Sequence, residues 1–239
     1  MRRLADRLAE IPGVVAVTLG GSRAAGTHRA DSDWDFGLYY CGTIDPDDVR
    51  ALGWEGQVFG PGDWGRIVNG GAWLQVEGQA VDLIYRDLDD VLEWTAAAEQ
   101  GRFEIQREVG YVAGIATYVL AGELAINEVL VGDLPRPVFP EALREAAPPL
   151  WFRLAAGALE VGRGHARRGD GVAAVANYAQ AVLATAQGRL AARGEWALNE
   201  KGIVDRAGLS EAAILLAGGA TERSAEQLAM MLTLPRRRR

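Results

Sequence analysis

Cysteine is almost missing from this chain: Cys41 stands alone among 239 residues. No intrachain disulfide and no cysteine-based zinc site can form. Histidine is nearly as scarce. His28 and His165 are too few for a histidine-rich metal centre. Any resident metal ion should therefore be held by carboxylates, which selects hard cations of the magnesium or manganese kind. No run of about 18 uninterrupted apolar residues occurs, so no membrane partner or span is expected. The opening MRRLADRLAE carries charge but no apolar h-region, unlike a secretory signal, and the expected compartment is the cytoplasm. A basic surface is lacking as well. A net charge of −7 and a pI near 5.0 disfavour a nucleic-acid partner and suit a cationic one. The terminal PRRRR reads as a solvated, frayed end. His28 reads as a surface loop residue, and His165 as a helix-end residue favoured by the helix dipole.

Hydrophobic residues make up 49% and charged residues 24%, an ordinary globular composition that allows one large domain or two small ones. Leu4, Leu8 and Ile11 recur at helical spacing until Pro12-Gly13. VVAVTLG reads as a short buried strand from Val14 to Gly20. A loop with a short helix inside it should fill Gly20 to Ser32. DWDFGLYY then alternates: Trp34, Phe36, Leu38 and Tyr40 face one way, Asp33, Asp35, Gly37 and Tyr39 the other. Asp45 should cap a short helix reaching Leu52. Gly53 to Gly71 reads as an irregular excursion; for the Trp-rich stretch from Gly53 to Trp73, core and loop packing is the default role and an acceptor-pocket lining the functional one. AWLQVEGQAVDLIYRD reads as two strands turning at Glu77-Gly78, and LDDVLEWTAAAEQG as a helix ending at Gly101. From about Arg107 the composition turns Ala-rich. VAGIATYVLAGELAINEVLVG is expected to be a long helix, followed by a helix broken at Pro148-Pro149 and three more, the last two with Ser or Thr caps. The expected fold class is α+β. Residues 1–104 form a domain with a small mixed sheet and flanking helices, and residues 105–239 form an all-α bundle.

Two carboxylates on one strand face need an explanation. Asp33 and Asp35 lie about 7 Å apart along a strand, where they repel one another and resist desolvation. A divalent cation resolves both problems. Asp82, on a neighbouring strand whose other face carries Val81, Leu83 and Tyr85, is the candidate third ligand. Just ahead of the acids, Gly20, Gly21 and Ser22 follow a buried strand directly. Small residues there let backbone N–H groups approach a phosphate, and Ser22 adds a hydroxyl donor. Arg23 and Arg29 are close enough in sequence to assist. A phosphate cradle ahead of a three-carboxylate site suits a metal-bound nucleoside triphosphate. No Walker A motif is present.

GGS, ten residues, then DWD on an alternating strand resembles the signature of the DNA polymerase β-type nucleotidyltransferases, and QAVDLIY matches that family's third carboxylate. The signature covers Val14 to Arg86. NYAQAVLATAQGRLAARGEWALNEK resembles, more loosely, the helix and loop that close over ATP in the streptomycin/spectinomycin group of aminoglycoside nucleotidyltransferases. The resemblance implies a catalytic domain in residues 1–104 that is metal-dependent and transfers a nucleoside monophosphate, AMP from ATP. The acceptor it implies is a hydroxyl of a small molecule, an aminoglycoside-like antibiotic among the candidates, with release of pyrophosphate. Gly21 and Ser22 would hold the triphosphate, with Arg23, Ser32 and Lys201 as further nucleotide contacts. Asp33 and Asp35 would bind two Mg²⁺ ions, with Asp82 on one of them. Asp82 is also the candidate general base, with Glu123 and Glu160 as rivals on helical grounds. Monomer and homodimer both remain open. The alternatives are a toxin–antitoxin-type enzyme that modifies a protein or tRNA, and a non-catalytic nucleotide-binding relative.

Overall fold

The computed structural model describes residues 2–24, 26, 29, 32–219 and 221–232; His28 and the arginine tail lie outside the described residues. The early helical spacing folds as α1 (Arg2–Ala9), with Leu4, Ala5 and Leu8 buried. The β-branched run follows as β1 (Val14–Leu19). One helical turn, α2 (Gly21–Ala24), opens the glycine loop, and the alternating segment is β2 (Trp34–Tyr40). The Asp45 side chain accepts a hydrogen bond from the Asp47 N–H at 2.9 Å and caps α3 (Pro46–Arg50), which carries Pro46 in its first turn.

The excursion expected to be irregular contains a strand, β3 (Glu55–Val58). It pairs antiparallel with β4 (Gly71–Val76). β4 turns into β5 (Gln79–Asp87) through Glu77 and Gly78, whose φ angles of 52° and 78° are the doubly left-handed pair of a two-residue hairpin turn. Helix α4 (Leu88–Glu99) follows, then the short strands β6 (Ile105–Gln106) and β7 (Ile115–Ala116).

The expected long helix after Arg107 is corrected. Only α5 (Val119–Ile126) is helical there, and β8 (Glu128–Val131) pairs with β1 as an edge strand of the main sheet. The open edge of β1 supplies hydrogen bonds that override the helical composition of this stretch. α6 (Glu141–Arg167) runs unbroken through Pro148 and Pro149, so the expected break is also corrected; two successive prolines remove two ladder donors, and the remaining turns hold. α7 (Gly171–Arg193) ends at Gly194, with φ 71°. There the Glu195 N–H bonds back to the Leu190 carbonyl, a left-handed glycine stop. α8 (Ile203–Arg206), α9 (Glu211–Ala217) and α10 (Glu222–Leu232) complete the described chain. Of the two expected caps, Thr221 accepts from the Ser224 N–H at 3.1 Å, whereas Ser210 makes no side-chain cap bond.

Two compact units result. Met1–Ala98, Phe103–Val109 and Ala116–Val138 form the first; Glu99–Arg102, Gly110–Ile115 and Phe139–Arg239 form the second. The first unit is built on a six-stranded sheet ordered β3-β4-β5-β2-β1-β8, antiparallel except for the central β2–β5 pair. One sheet face buries Phe36, Leu38, Leu74, Val81, Leu83 and Tyr85 with Leu4 and Leu8 of α1. The opposite face carries Asp35, Gly37 and Tyr39 of β2 and Asp82, Ile84 and Arg86 of β5, as the alternation requires.

In the second unit α6 lies along α7. A Cβ at Gly162 would meet the Tyr178 ring at 2.5 Å, and one at Gly188 would meet Phe152 at 2.5 Å, so each helix gives up a side chain where the other inserts an aromatic ring. Around this pair Leu159, Val182, Leu190, Ile203, Leu209 and Leu228 form the core. Among the described residues no helix is long and apolar enough to cross a membrane.

Candidate active site

The centre of the sheet places two acids side by side. In the parallel β2–β5 ladder Asp35 is the register partner of Asp82, so their backbones stand one strand spacing apart, about 4.8 Å, with both side chains on the same face. In the β4–β5 ladder the partner of Asp82 is Trp73. On the other flank the Gly20 N–H donates to the Asp35 carbonyl at 2.7 Å. Gly20, Asp35, Asp82 and Trp73 therefore form one row across the sheet. Asp33 stands exposed, one residue ahead of β2.

The glycine loop closes down on that row. Gly21 has φ 61°, and a Cβ there would lie 1.8 Å from the Asp35 carboxylate oxygen. Only glycine fits both the backbone and the space. Gly20 is packed less tightly: the side chain of Asn127, itself buried, would sit 3.2 Å from a Cβ at that position. Ser22 is half-buried on α2. The Arg23 guanidinium donates to the carbonyls of Ser32 at 2.6 Å and Asp33 at 3.1 Å and lies over the Trp34 ring, 4.0 Å from its centroid. The Ser32 hydroxyl accepts from the Arg29 N–H at 2.9 Å. Arg23 and Ser32, expected to touch nucleotide, are thus engaged in holding the loop and the backbone that carries Asp33.

Glu123 pairs with Arg86 through two bonds of 2.6 and 2.7 Å, and only 15% of its side chain is exposed. The rival general-base candidate Glu123 is thus engaged by Arg86. Glu160 pairs with Arg163 at 2.7 Å, one turn along α6 in the second unit. Lys201 is exposed in the second unit, and its N–H bonds to the Asn199 side chain at 2.9 Å. His165 lies 3.3 Å from Asp170 near the end of α6.

Sequence reasoning missed the Arg86–Glu123 pair and the register of Trp73 with Asp82, although Trp73 belongs to the stretch whose functional reading was an acceptor lining. The signal for Arg86 was present: it falls four residues after Asp82, on the same face of the same strand. Arg86 also donates to the Val68 carbonyl at 2.8 Å and the Tyr85 carbonyl at 3.0 Å. Neighbouring Tyr39, its register partner, has its hydroxyl pKa pushed well above the usual value by burial, with Glu123 adding to the shift.

Among the described residues no group of three or more carboxylate, histidine or cysteine side chains is gathered closely enough to hold a metal ion ready-made. The donor chemistry nonetheless fits a hard divalent cation. Two carboxylates share one register position, a third lies two residues along the chain, and glycine keeps the approach to Asp35 free of a side chain.

Residues 1–58 match the family model described as Nucleotidyltransferase domain. That segment runs from α1 through the glycine loop, Asp33 and Asp35 to the end of β3, about a quarter of the chain. Asp82, Trp73 and Lys201 lie beyond it. No curated protein matches the chain.

Proposed function

We propose that this chain is a nucleotidyltransferase that moves a nucleoside monophosphate, AMP from ATP, onto a hydroxyl of a small molecule. The observation that carries the reading is the Asp35–Asp82 register pair with Gly21 packed on the Asp35 carboxylate, half of which falls inside the matched segment. Gly21 and Ser22 would receive the triphosphate, and Lys201 is proposed as a further nucleotide contact. Arg23 and Ser32 act by fixing the loop that presents Asp33. Asp33, Asp35 and Asp82 would hold Mg²⁺, two ions in the full complement. When bound, the metal stabilises charge on the entering and leaving oxygens of an in-line displacement. Asp82 would accept the proton of the acceptor hydroxyl as general base. The acceptor oxygen bonds to the α-phosphorus, the bond to the β-phosphate oxygen breaks, pyrophosphate departs with the electron pair, and the proton passes to the Asp82 carboxylate.

An aminoglycoside-like acceptor agrees with the net charge of −7 and with the resemblance of the second unit's helix and loop. The acidic balance speaks against tRNA as acceptor, and the two neighbouring acids speak against a silent nucleotide sensor. The test is pyrophosphate release with Mg²⁺, each of the four NTPs, and a panel of aminoglycosides, lincosamides and purified tRNA. Release that depends on one drug class supports the reading. Calorimetric ATP binding with no release for any drug refutes the small-molecule acceptor, and absence of NTP binding refutes the transferase.

A further inference from the structure

The α6–α7 pair interlocks at two levels and leaves a gap between them. At one level Phe152 of α6 lies over Gly188 of α7; at the other Tyr178 of α7 lies over Gly162 of α6. Between the two levels α6 offers Ala155, Ala156 and Leu159, and α7 offers Thr185. Ala229 and Leu232 of α10 stand on the third side. With Phe152 they line a cavity of about 180 Å³. All three helices belong to the second unit.

The lining decides what the cavity can hold. None of its residues carries a charge. Its one polar side chain, Thr185, is buried and uses its hydroxyl within its own helix, donating to the Ala181 carbonyl at 2.8 Å. No lining side chain presents a buried nitrogen or oxygen without a partner. A buried water needs two to four polar partners, and these side chains offer it none. The cavity can also be entered: Ala156 is exposed, and Phe152, Ala229 and Leu232 are half-buried.

We infer that this cavity is a binding site for a small uncharged apolar ring. A dry apolar cavity of roughly 150 Å³ accepts benzene, so 180 Å³ has room for one six-membered ring with a methyl-sized substituent. Phe152 supplies an aromatic partner for offset or edge-on packing, and the leucines and alanines supply aliphatic contacts. A charged molecule would give up its hydration here and gain no partner. An occupant would tie α10 to the α6–α7 pair across space that the side chains leave unfilled, so binding is read as added stability. The acid row lies in the first unit, and the inference does not depend on the transferase reading.

Thermal unfolding of the full chain, followed by circular dichroism, tests the site with toluene as the apolar ring and benzoate as its charged counterpart. Saturating toluene should raise the midpoint by about 2 °C or more through ligand linkage, and benzoate should leave it unmoved. Ala229→Leu fills the cavity and should abolish the toluene shift. Ala155→Leu fills it from α6 and repeats the test should Ala229→Leu not fold. A wild type that toluene leaves unmoved, an equal response to benzoate, or a toluene shift that survives filling would each overturn the inference. So would a shift that appears only after residues 233–239 are removed, since the end of the chain would then be the occupant.

Discussion

The polar face of the central sheet carries two charged constellations, and they are opposites. Toward the C-terminal ends of β2 and β5, Arg86 and Glu123 pair with opposite signs, almost wholly buried and bonded twice over. Near the N-terminal end of β2, Asp35 and Asp82 stand in register with the same sign. The first arrangement is complete in itself. Its charges compensate, the guanidinium has carbonyl partners besides the carboxylate, and α5 is fastened to β5. The second sets two acids of one sign side by side, a cost that like-charged cross-strand neighbours bring. The first arrangement fastens the fold, and the second is the one the proposed chemistry uses.

The comparison breaks most visibly in activity. Asp35→Asn and Asp82→Asn should each lower nucleotide transfer by about a thousandfold or more, since each removes a charge from the proposed two-metal site. Stability should move by no more than about 1 kcal/mol, because the change relieves one of two repelling charges. Mg²⁺ should raise the unfolding midpoint of the wild type by ligand linkage and do so far less in either variant. Pyrophosphate release and thermal unfolding with and without Mg²⁺ measure both effects. Near-normal turnover in either variant would remove that residue from the ligand and base assignments together.

At the other end the pattern should invert. Glu123→Ala strands a buried guanidinium, a loss of about 3–5 kcal/mol, read as a lower midpoint in urea unfolding followed by tryptophan fluorescence. Whatever fraction remains folded should retain Mg²⁺ binding, because Glu123 does not belong to the acid row. A Glu123→Ala protein of normal stability but no turnover would reverse the contrast and restore Glu123 as a catalytic candidate.

How much of this could be read without the fold follows the same division. The acid face was legible, because period-2 alternation in DWDFGLYY and QAVDLIY assigns each carboxylate to a side of its own strand. The hairpin at Glu77-Gly78 was legible for an equally local reason, since few residue pairs accept two positive φ angles. The identity of neighbours was not. That Asp35 faces Asp82, with Trp73 next in line, depends on parallel and antiparallel registers between segments distant in sequence. Arg86 finding Glu123 depends on a helix that begins more than thirty residues later. β8 was misread as helix because Glu128 to Val131 take their structure from the edge of β1, and nothing local announces it. Pro148-Pro149 failed in the opposite sense: a strong local breaker was outvoted by the long packing of α6 along α7.

The smallest effects come from two glycines that share a backbone conformation and differ in surroundings. Gly78, at φ 78°, has nothing within 4 Å of a prospective Cβ; Gly21, at φ 61°, has the Asp35 carboxylate at 1.8 Å. Gly78→Ala therefore carries only the left-handed penalty, about 1 kcal/mol, and should leave transfer untouched. Gly21→Ala carries that penalty and a collision besides, which the fold can relieve only by displacing the Asp35 side chain or lifting the loop away from it. Its stability loss should exceed that of Gly78→Ala by a further 1 kcal/mol or so, and its transfer activity should fall by at least tenfold. Matched urea titrations and pyrophosphate-release rates for the two variants separate the terms. If both lose equally in stability and neither loses activity, the close packing of the glycine loop on Asp35 is no part of the chemistry. If Gly21→Ala alone is inactive, the space above that carboxylate is functional, and the acid row must be kept clear on its glycine side.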